Sequence, residues 1–408
     1  MLRIGIIREG KIPTDKRTPL SPIQCQMVMQ KFPHVKILVQ PSPVRCFKDE
    51  EYAAVGIEIK EDLSECDILL GIKEVPIDML IPDKTYLFFS HTIKKQAHNR
   101  KLLQTILEKN IKLVDYETLT NEKGERLIAF GWYAGWVGAY NALWMCGKRY
   151  GLFDLKRAFQ CFDKAEMLKE LEKAKLPPIK IALTGGGRVA NGAVELLEKA
   201  KIKRVSVQEY LQESHFQEAV YVQLRSADYH AHKEGKPFVQ EEFYQHPERF
   251  ISTFSQFYPT TDLLIACAYW HPHAPLLFTK QEMRLPQFRI SMVADITCDI
   301  DGSIPCTQQS ANILEPVYDY DKENETVVAC FTDLSHINVM AVDNLPTELP
   351  RDASEYFGEV LIENIFPHLL CGDKGKVIQR ATIAEYGRLM PNFAYLEDYV
   401  NLSQAVDL

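Results

Sequence analysis

Between Lys180 and Leu197 the chain reads Lys-Ile-Ala-Leu-Thr-Gly-Gly-Gly-Arg-Val-Ala-Asn-Gly-Ala-Val-Glu-Leu-Leu: an apolar strand, three consecutive glycines, then a helix. A strand that turns at once into a helix, with glycine where side chains would block the backbone, opens a βαβ unit able to hold a pyrophosphate on the helix amino terminus. Such units ordinarily begin on this strand. Everything before Lys180 must therefore form something else, and a domain that presents substrate is the expectation. At 408 residues the chain also exceeds the size at which one core keeps growing, which makes two domains the default.

The rest of the chain alternates strand and helix patterns. Strands are predicted at 3–7, 36–40, 68–72, 86–89 and 112–114, with helices at 22–31, 50–55 and 95–109. Residues 129–150 are apolar, small and aromatic and read as a long buried helix that joins the domains. A charged helix over 154–175 stops at Leu176-Pro-Pro178. Strands are then predicted at 180–184, 204–208, 262–268 and 290–295. Residues 212–257 read as a polar and aromatic insertion. After Phe331 the pattern turns helical, amphipathic over 353–370, and returns to complete the first domain. The fold class is α/β with parallel sheets.

A formal charge of −8 argues against nucleic acid and acidic membranes as partners, since both require a basic surface. No apolar run reaches the roughly 18 residues of a membrane span, and Met1-Leu-Arg-Ile-Gly-Ile-Ile-Arg-Glu9 lacks the regions of a signal peptide, so a cytoplasmic protein acting on small molecules is expected. The ten cysteines show no Cys-x-x-Cys spacing and read as reduced core thiols, Cys146, Cys267 and Cys330 among them. His230/His232 and His271/His273 have no matching ligand array and read as surface or pocket-edge groups; no metal site is expected.

Several residues are placed for chemistry. Gly185, Gly187, Arg188 and Val189 frame the phosphate turn, and Glu209, 22 residues after Gly187, falls where an acid could hold ribose hydroxyls. Arg188 leaves NAD and NADP both open, because it suits a 2′-phosphate as well as a pyrophosphate. Lys73 and His91 each follow an apolar strand, the position at which parallel sheets form their ligand crevice. Desolvation lowers a lysine, histidine titrates near neutrality, and together they suit proton transfer. Arg17 precedes a helix start and could clamp a carboxylate. Asp299 lies just past a strand of the nucleotide domain.

These and other stretches, Arg17-Thr-Pro-Leu-Ser-Pro22, Val39-Gln-Pro-Ser42, Phe88-Phe-Ser-His-Thr-Ile-Lys94, Asp115-Tyr-Glu117, Ala129-Phe-Gly131 with Ala134-Gly135, His246-Pro-Glu-Arg-Phe-Ile-Ser252, Gly302-Ser-Ile304 and Val342-Asp-Asn-Leu-Pro346, run in order over nearly the whole chain. Together they resemble the alanine dehydrogenase and lysine-forming saccharopine dehydrogenase superfamily, most closely its lysine-2-oxoglutarate reductase branch. The resemblance implies two Rossmann-like domains. A substrate domain would comprise 1–135 and 338–408, and an NAD(P)-binding domain 136–337, with the insertion at 212–257. It implies Lys73 and His91 as an acid-base pair, Arg17, Lys94 and Arg126 as holders of substrate carboxylates, Glu117 as an acid beside the pair, and Asp299 on the cofactor side. The loop departs from the branch: it reads Thr-Gly-Gly-Gly-Arg where the reductases usually have Thr-Gly-x-Gly-Asn, and Arg188 instead matches the fungal saccharopine dehydrogenases. Animal and plant members carry a second enzyme domain after this one; with this chain ending at Leu408, any next step is expected to belong to another protein.

The activity so implied interconverts saccharopine with lysine plus 2-oxoglutarate, with a homo-oligomer as the expected assembly. An alanine-dehydrogenase-like or other opine or amino-acid dehydrogenase, and a non-catalytic or transhydrogenase-type nucleotide-binding subunit, are the alternatives.

Overall fold

The computed structural model describes residues 1–402; residues 403–408 of the expected substrate domain lie outside the described residues. Contacts divide the chain into two compact units, one formed by Met1–Phe130 together with the stretch from Pro350, the other by Gly131–Leu349.

The first unit opens with β1 (Leu2–Ile6), β2 (Val35–Val39), β3 (Glu58–Ile59), β4 (Ile68–Leu70), β5 (Thr85–Phe88) and β6 (Lys112–Asp115). The second unit holds β7 (Lys180–Thr184), β8 (Lys203–Arg204), β9 (Val220–Leu224), β10 (His230–His232), β11 (Phe250–Ser252), β12 (Leu263–Ala266) and β13 (Met292–Asp295). It ends with β14 (Val317–Asp321), β15 (Thr326–Val328) and β16 (Ile337–Met340), and the chain then returns to the first unit for β17 (Thr382–Glu385) and β18 (Arg388–Leu389).

In the first unit the sheet order is β18-β17-β6-β5-β4-β1-β2-β3. From β3 to β6 all pairs are parallel, and β17 and β18 add antiparallel strands at the far edge. The chain leaves β1 toward β2 and resumes at β4 on the other side, which opens a crevice beyond the strand ends where the order reverses. The sheet is α/β and drawn from both ends of the chain, as expected. A core of residues such as Leu38, Leu69, Tyr86, Phe88, Leu103, Ile106 and Leu113 packs along it.

The second unit repeats the plan with the order β15-β14-β16-β13-β12-β7-β9-β8, parallel from β16 to β8 and antiparallel at β14 and β15. The reversal falls at β7, the strand that feeds the glycine turn. Gly131–Tyr150 is a single helix lying wholly within this unit. It packs on the Arg188–Lys199 helix so closely that a Cβ on Gly135 would stand 1.9 Å from the Val189 carbonyl oxygen, and one on Gly192 2.1 Å from that of Trp132. Only glycine lets the two backbones meet at this distance.

Four expectations fail. The predicted strand at 204–208 is only β8, followed by a helix over Val207–Gln212. Part of the predicted insertion is β9, a central strand next to β7, so the irregular segment begins after Leu224. Residues 337–340, expected to be helical, form β16, because Ile337, Val339 and Met340 supply a buried strand beside β13. The predicted helix over 154–175 shrinks to Lys164–Leu171 after a short turn at Ala158–Gln160. Cys146 and Cys267 are buried as expected, whereas Cys330 is exposed.

Candidate active site

Four neighbouring strands of the first unit, β1, β4, β5 and β6, each release an ionisable residue at the carboxyl end: Glu9, Lys73 with Glu74, His91, and Asp115 with Glu117. β4 and β5 keep their pairing past the strand ends, Gly71 N–H donating to Leu87 O (3.0 Å) and Phe89 N–H to Ile72 O (2.9 Å), so Lys73 and His91 leave the sheet side by side. Glu9 fastens the turn before Lys73. Its two carboxylate oxygens accept the Ile72 N–H at 2.6 Å and the Lys73 N–H at 2.9 Å.

His91 takes a φ of +53°, uncommon for a residue with a side chain. Its Nδ1 meets Glu74 Oε1 at 2.7 Å, while Lys11 Nζ donates to Glu74 Oε2 at 2.7 Å. A carboxylate only accepts, so Nδ1 carries the hydrogen and Nε2 is the nitrogen left to exchange a proton. Burial alone would raise Glu74, but the bonds from His91 and Lys11 outweigh it and hold the carboxyl at about 2. Burial, aided by the nearby Arg17 charge, pushes the Lys73 amine below the ordinary lysine range, with Asp15 opposing. Burial and the Asp15 charge push Glu9 up to about 8 against its two backbone donors.

Lys94, Glu117 and Arg126 also assemble here. Lys94 Nζ lies 3.4 Å and an Arg126 nitrogen 4.0 Å from Glu117 Oε1, and the Arg126 guanidinium sits 5.4 Å above the Phe89 ring, itself stacked on His91. Both ion pairs are long and partly exposed, and Arg126 Nε also donates to Ile128 O at 3.0 Å. Arg17 is different. It is 2% exposed, its Nε and one terminal nitrogen grip Asp15 at 3.0 and 2.6 Å, and it lies 4.1 Å from the Phe130 ring centre.

In the second unit Gly185 has a φ of +105°, and a Cβ there would come 3.2 Å from the backbone of Cys267 and Ala268; nothing approaches the same position on Gly187. The turn thus offers bare backbone at the start of the Arg188–Lys199 helix, a cradle that fits a pyrophosphate. Beside it is a cavity of about 530 Å3, lined by Gly185, Gly187, Arg188 and Val189 together with Ser226, His230 and Tyr244, and carrying no Asp or Glu in its lining. His271 lines it as expected, while His232 is buried, contrary to a surface reading. The residue that follows β9 is Arg225, whose side chain reaches within 3.8–3.9 Å of where a Gly186 side chain would begin. Sequence reasoning missed it because β9 itself was read as insertion.

Glu209 is not at a strand tip. It is the third residue of the Val207–Gln212 helix and closes a capping box with Ser206, accepting the Ser206 N–H at 2.8 Å while its own N–H donates to Ser206 Oγ. Glu209→Ala is accordingly expected to lower the melting midpoint slightly and to leave nucleotide Kd within about twofold, checked by melting and by cofactor titration. Asp299 sits in the turn after β13, where its carbonyl accepts the Gly302 N–H; Ser303 of that turn lines the cavity and Asp299 does not. Among the described residues there is no group of three His, Cys, Asp or Glu able to hold a metal, and no helix long and apolar enough to cross a membrane.

Residues 5–137 match the family Alanine dehydrogenase/PNT, N-terminal domain. Over 96% of its length the chain is 32% identical to an Alpha-aminoadipic semialdehyde synthase of Arabidopsis thaliana, of which it covers 41%; it spans less than half the length of such relatives. A Saccharopine dehydrogenase [NAD(+), L-lysine-forming] of Emericella nidulans is 26% identical over 88% of this chain and 90% of its own. The solved structure of an L-alanine dehydrogenase aligns with a TM-score of 0.65 at 15% identity, covering 98% of this chain and 99% of that one, a likeness of fold.

Proposed function

We propose, from the match of residues 5–137 to the alanine dehydrogenase/PNT family and the similarity to lysine-forming saccharopine dehydrogenases, that the chain binds NAD(P) and is an oxidoreductase of carbon-nitrogen bonds that interconverts saccharopine with lysine plus 2-oxoglutarate. The observation that carries this reading is the Lys73, Glu74 and His91 group on adjoining strand ends, with the cations Lys94 and Arg126 beside Glu117. Saccharopine has three carboxylates and a secondary amine; pyruvate has one carboxylate and would leave cations unused.

In the reductive direction the lysine side-chain amine adds to the 2-oxoglutarate ketone, and the carbinolamine loses water to give an imine. Each step moves a proton. His91, oriented through Nδ1 by Glu74, receives and returns protons at Nε2, and Lys73, with its neutral amine favoured by burial, shares that work as a coupled pair. Lys94 and Arg126 shift from Glu117 to substrate carboxylates and fix the pose. Arg17 acts indirectly, its charge keeping Asp15 ionised and helping to hold Lys73 down. Gly185, Gly187, Arg188 and Val189 hold the dinucleotide, which when bound supplies the hydride that reduces the imine.

The preferred dinucleotide is NADPH. Arg225 stands after the strand beside β7, Glu209 is committed to its cap, and the cavity lining holds no acid to grip ribose hydroxyls. Arg225→Ala is expected to weaken NADPH about tenfold, roughly one charge-assisted contact, and NADH less than about twofold, measured by equilibrium titration.

The assay follows loss of reduced cofactor with lysine and 2-oxoglutarate, against lysine omitted and against ammonium with pyruvate. Oxidation only with ammonium and pyruvate makes the protein an alanine-dehydrogenase-like enzyme. Cofactor binding without oxidation under any pairing of amine and oxo acid leaves a nucleotide-binding subunit.

A further inference from the structure

Beyond Arg225 the irregular segment after β9 has no part in the chemistry above, yet it builds an aromatic lobe of its own. β10 pairs antiparallel with β11, and Phe243, Phe250 and Ala274 make a small separate core flanked by Phe238 and Trp270. The rings interlock: Phe243 lies 5.2 Å from Phe250, edge to face, and 4.5 Å from His230. Trp270 is pinned by its indole N–H, which donates to Ala274 O at 3.1 Å. The lobe is therefore a rigid platform.

One side of that platform is a wall of the cavity beside the glycine turn, to which it contributes His230, Phe243, Tyr244, Pro247 and Trp270. Phe243 is locked in the lobe core, but the next residue, Tyr244, is 67% exposed, and Tyr269, also in the lining, is 82% exposed. Both rings line an acid-free, mostly apolar cavity and leave their faces open to a flat ligand. The wall is uncharged as well, since burial pushes the His230 imidazole down to about 4, and its Nδ1 is engaged by Ser226 O at 3.1 Å.

We propose that this lobe is the base-recognition wall of the dinucleotide site, with the adenine ring lying in the cavity against Tyr244. The inference rests on the dinucleotide reading given above and adds to it the part of the chain that recognises the base. Stacking suits this wall because a purine presents an apolar face of its own, whereas a cavity without carboxylates has little with which to hold ribose. The nicotinamide half of the molecule needs nothing from the lobe.

Equilibrium titrations of the whole chain with 5′-AMP, reduced nicotinamide mononucleotide and NADPH test it, using Tyr244→Ala and Tyr244→Phe. Tyr244 is exposed, so neither substitution disturbs the lobe core. In Tyr244→Ala, 5′-AMP and NADPH are expected to weaken at least about fivefold, the mononucleotide to be unchanged, and Tyr244→Phe to restore wild-type binding. Unchanged 5′-AMP binding in Tyr244→Ala, or an equal loss for the mononucleotide, overturns the base wall while leaving the dinucleotide reading intact. Failure of the wild-type chain to bind NADPH overturns both.

Discussion

Lys73→Met and His91→Gln are each expected to lower kcat by about two to four orders of magnitude while the cofactor Kd moves less than about threefold. The two side chains stand on adjoining strand ends of one unit, and the glycine cradle belongs to the other, so proton transfer and cofactor binding should separate cleanly. Methionine keeps the length and apolar stem of Lys73 without the buried ammonium. The lowered lysine costs the native state stability that is largest at low pH and fades as pH rises toward the ordinary lysine range, so Lys73→Met should melt no lower than wild type. Glutamine at 91 can still donate to Glu74 but cannot cycle a proton. Steady-state rates across the pH range decide it, and full turnover by either variant at every pH ends that residue's assignment.

The largest loss of stability is expected from Gly135→Val. A Cβ there would collide with the Val189 carbonyl oxygen at 1.9 Å and the Ala193 nitrogen at 2.7 Å, so the Gly131–Tyr150 and Arg188–Lys199 helices would have to part. Overpacking against backbone has no rotamer by which to relax, and a cost of at least about 3 kcal/mol follows. In calorimetry this should appear as a fall of about 6–12 °C in the melting midpoint. Nucleotide binding should weaken as well, because the displaced helix is the one that begins at Arg188. A variant that melts with the wild type would show that the helices tolerate separation.

What could be read from sequence depended on how local its cause was. The β7 strand, glycine turn and helix are contiguous, and they form where the residue pattern puts them. Lys73 and His91 could be found because each follows an apolar strand; the same rule reaches Glu9 after β1 and Asp115 closing β6, but their bonds to the Ile72–Lys73 backbone and to Ser90 arise only when the strands pair. Ser206-Val-Gln-Glu209 is itself a capping-box signature, and reading it would have kept Glu209 out of the ribose site. β9 was a harder case. It becomes a central strand only by pairing with β7, some forty residues earlier in the chain, and its own alternation is weak. The burial of Arg17 likewise follows from packing on Phe130, a contact between residues distant in sequence.

The first sheet carries a further implication for how the polypeptide comes into being. β6 gains its outer neighbour only from β17, which lies 270 positions later by start residue. While the ribosome is still making the second unit, Lys112–Asp115 is a naked edge, and exposed edges recruit other strands. Nascent or carboxyl-truncated forms that stop short of Thr382 should therefore depend on chaperones and clump when these are scarce, even though every residue of the proposed acid-base group has already been synthesised.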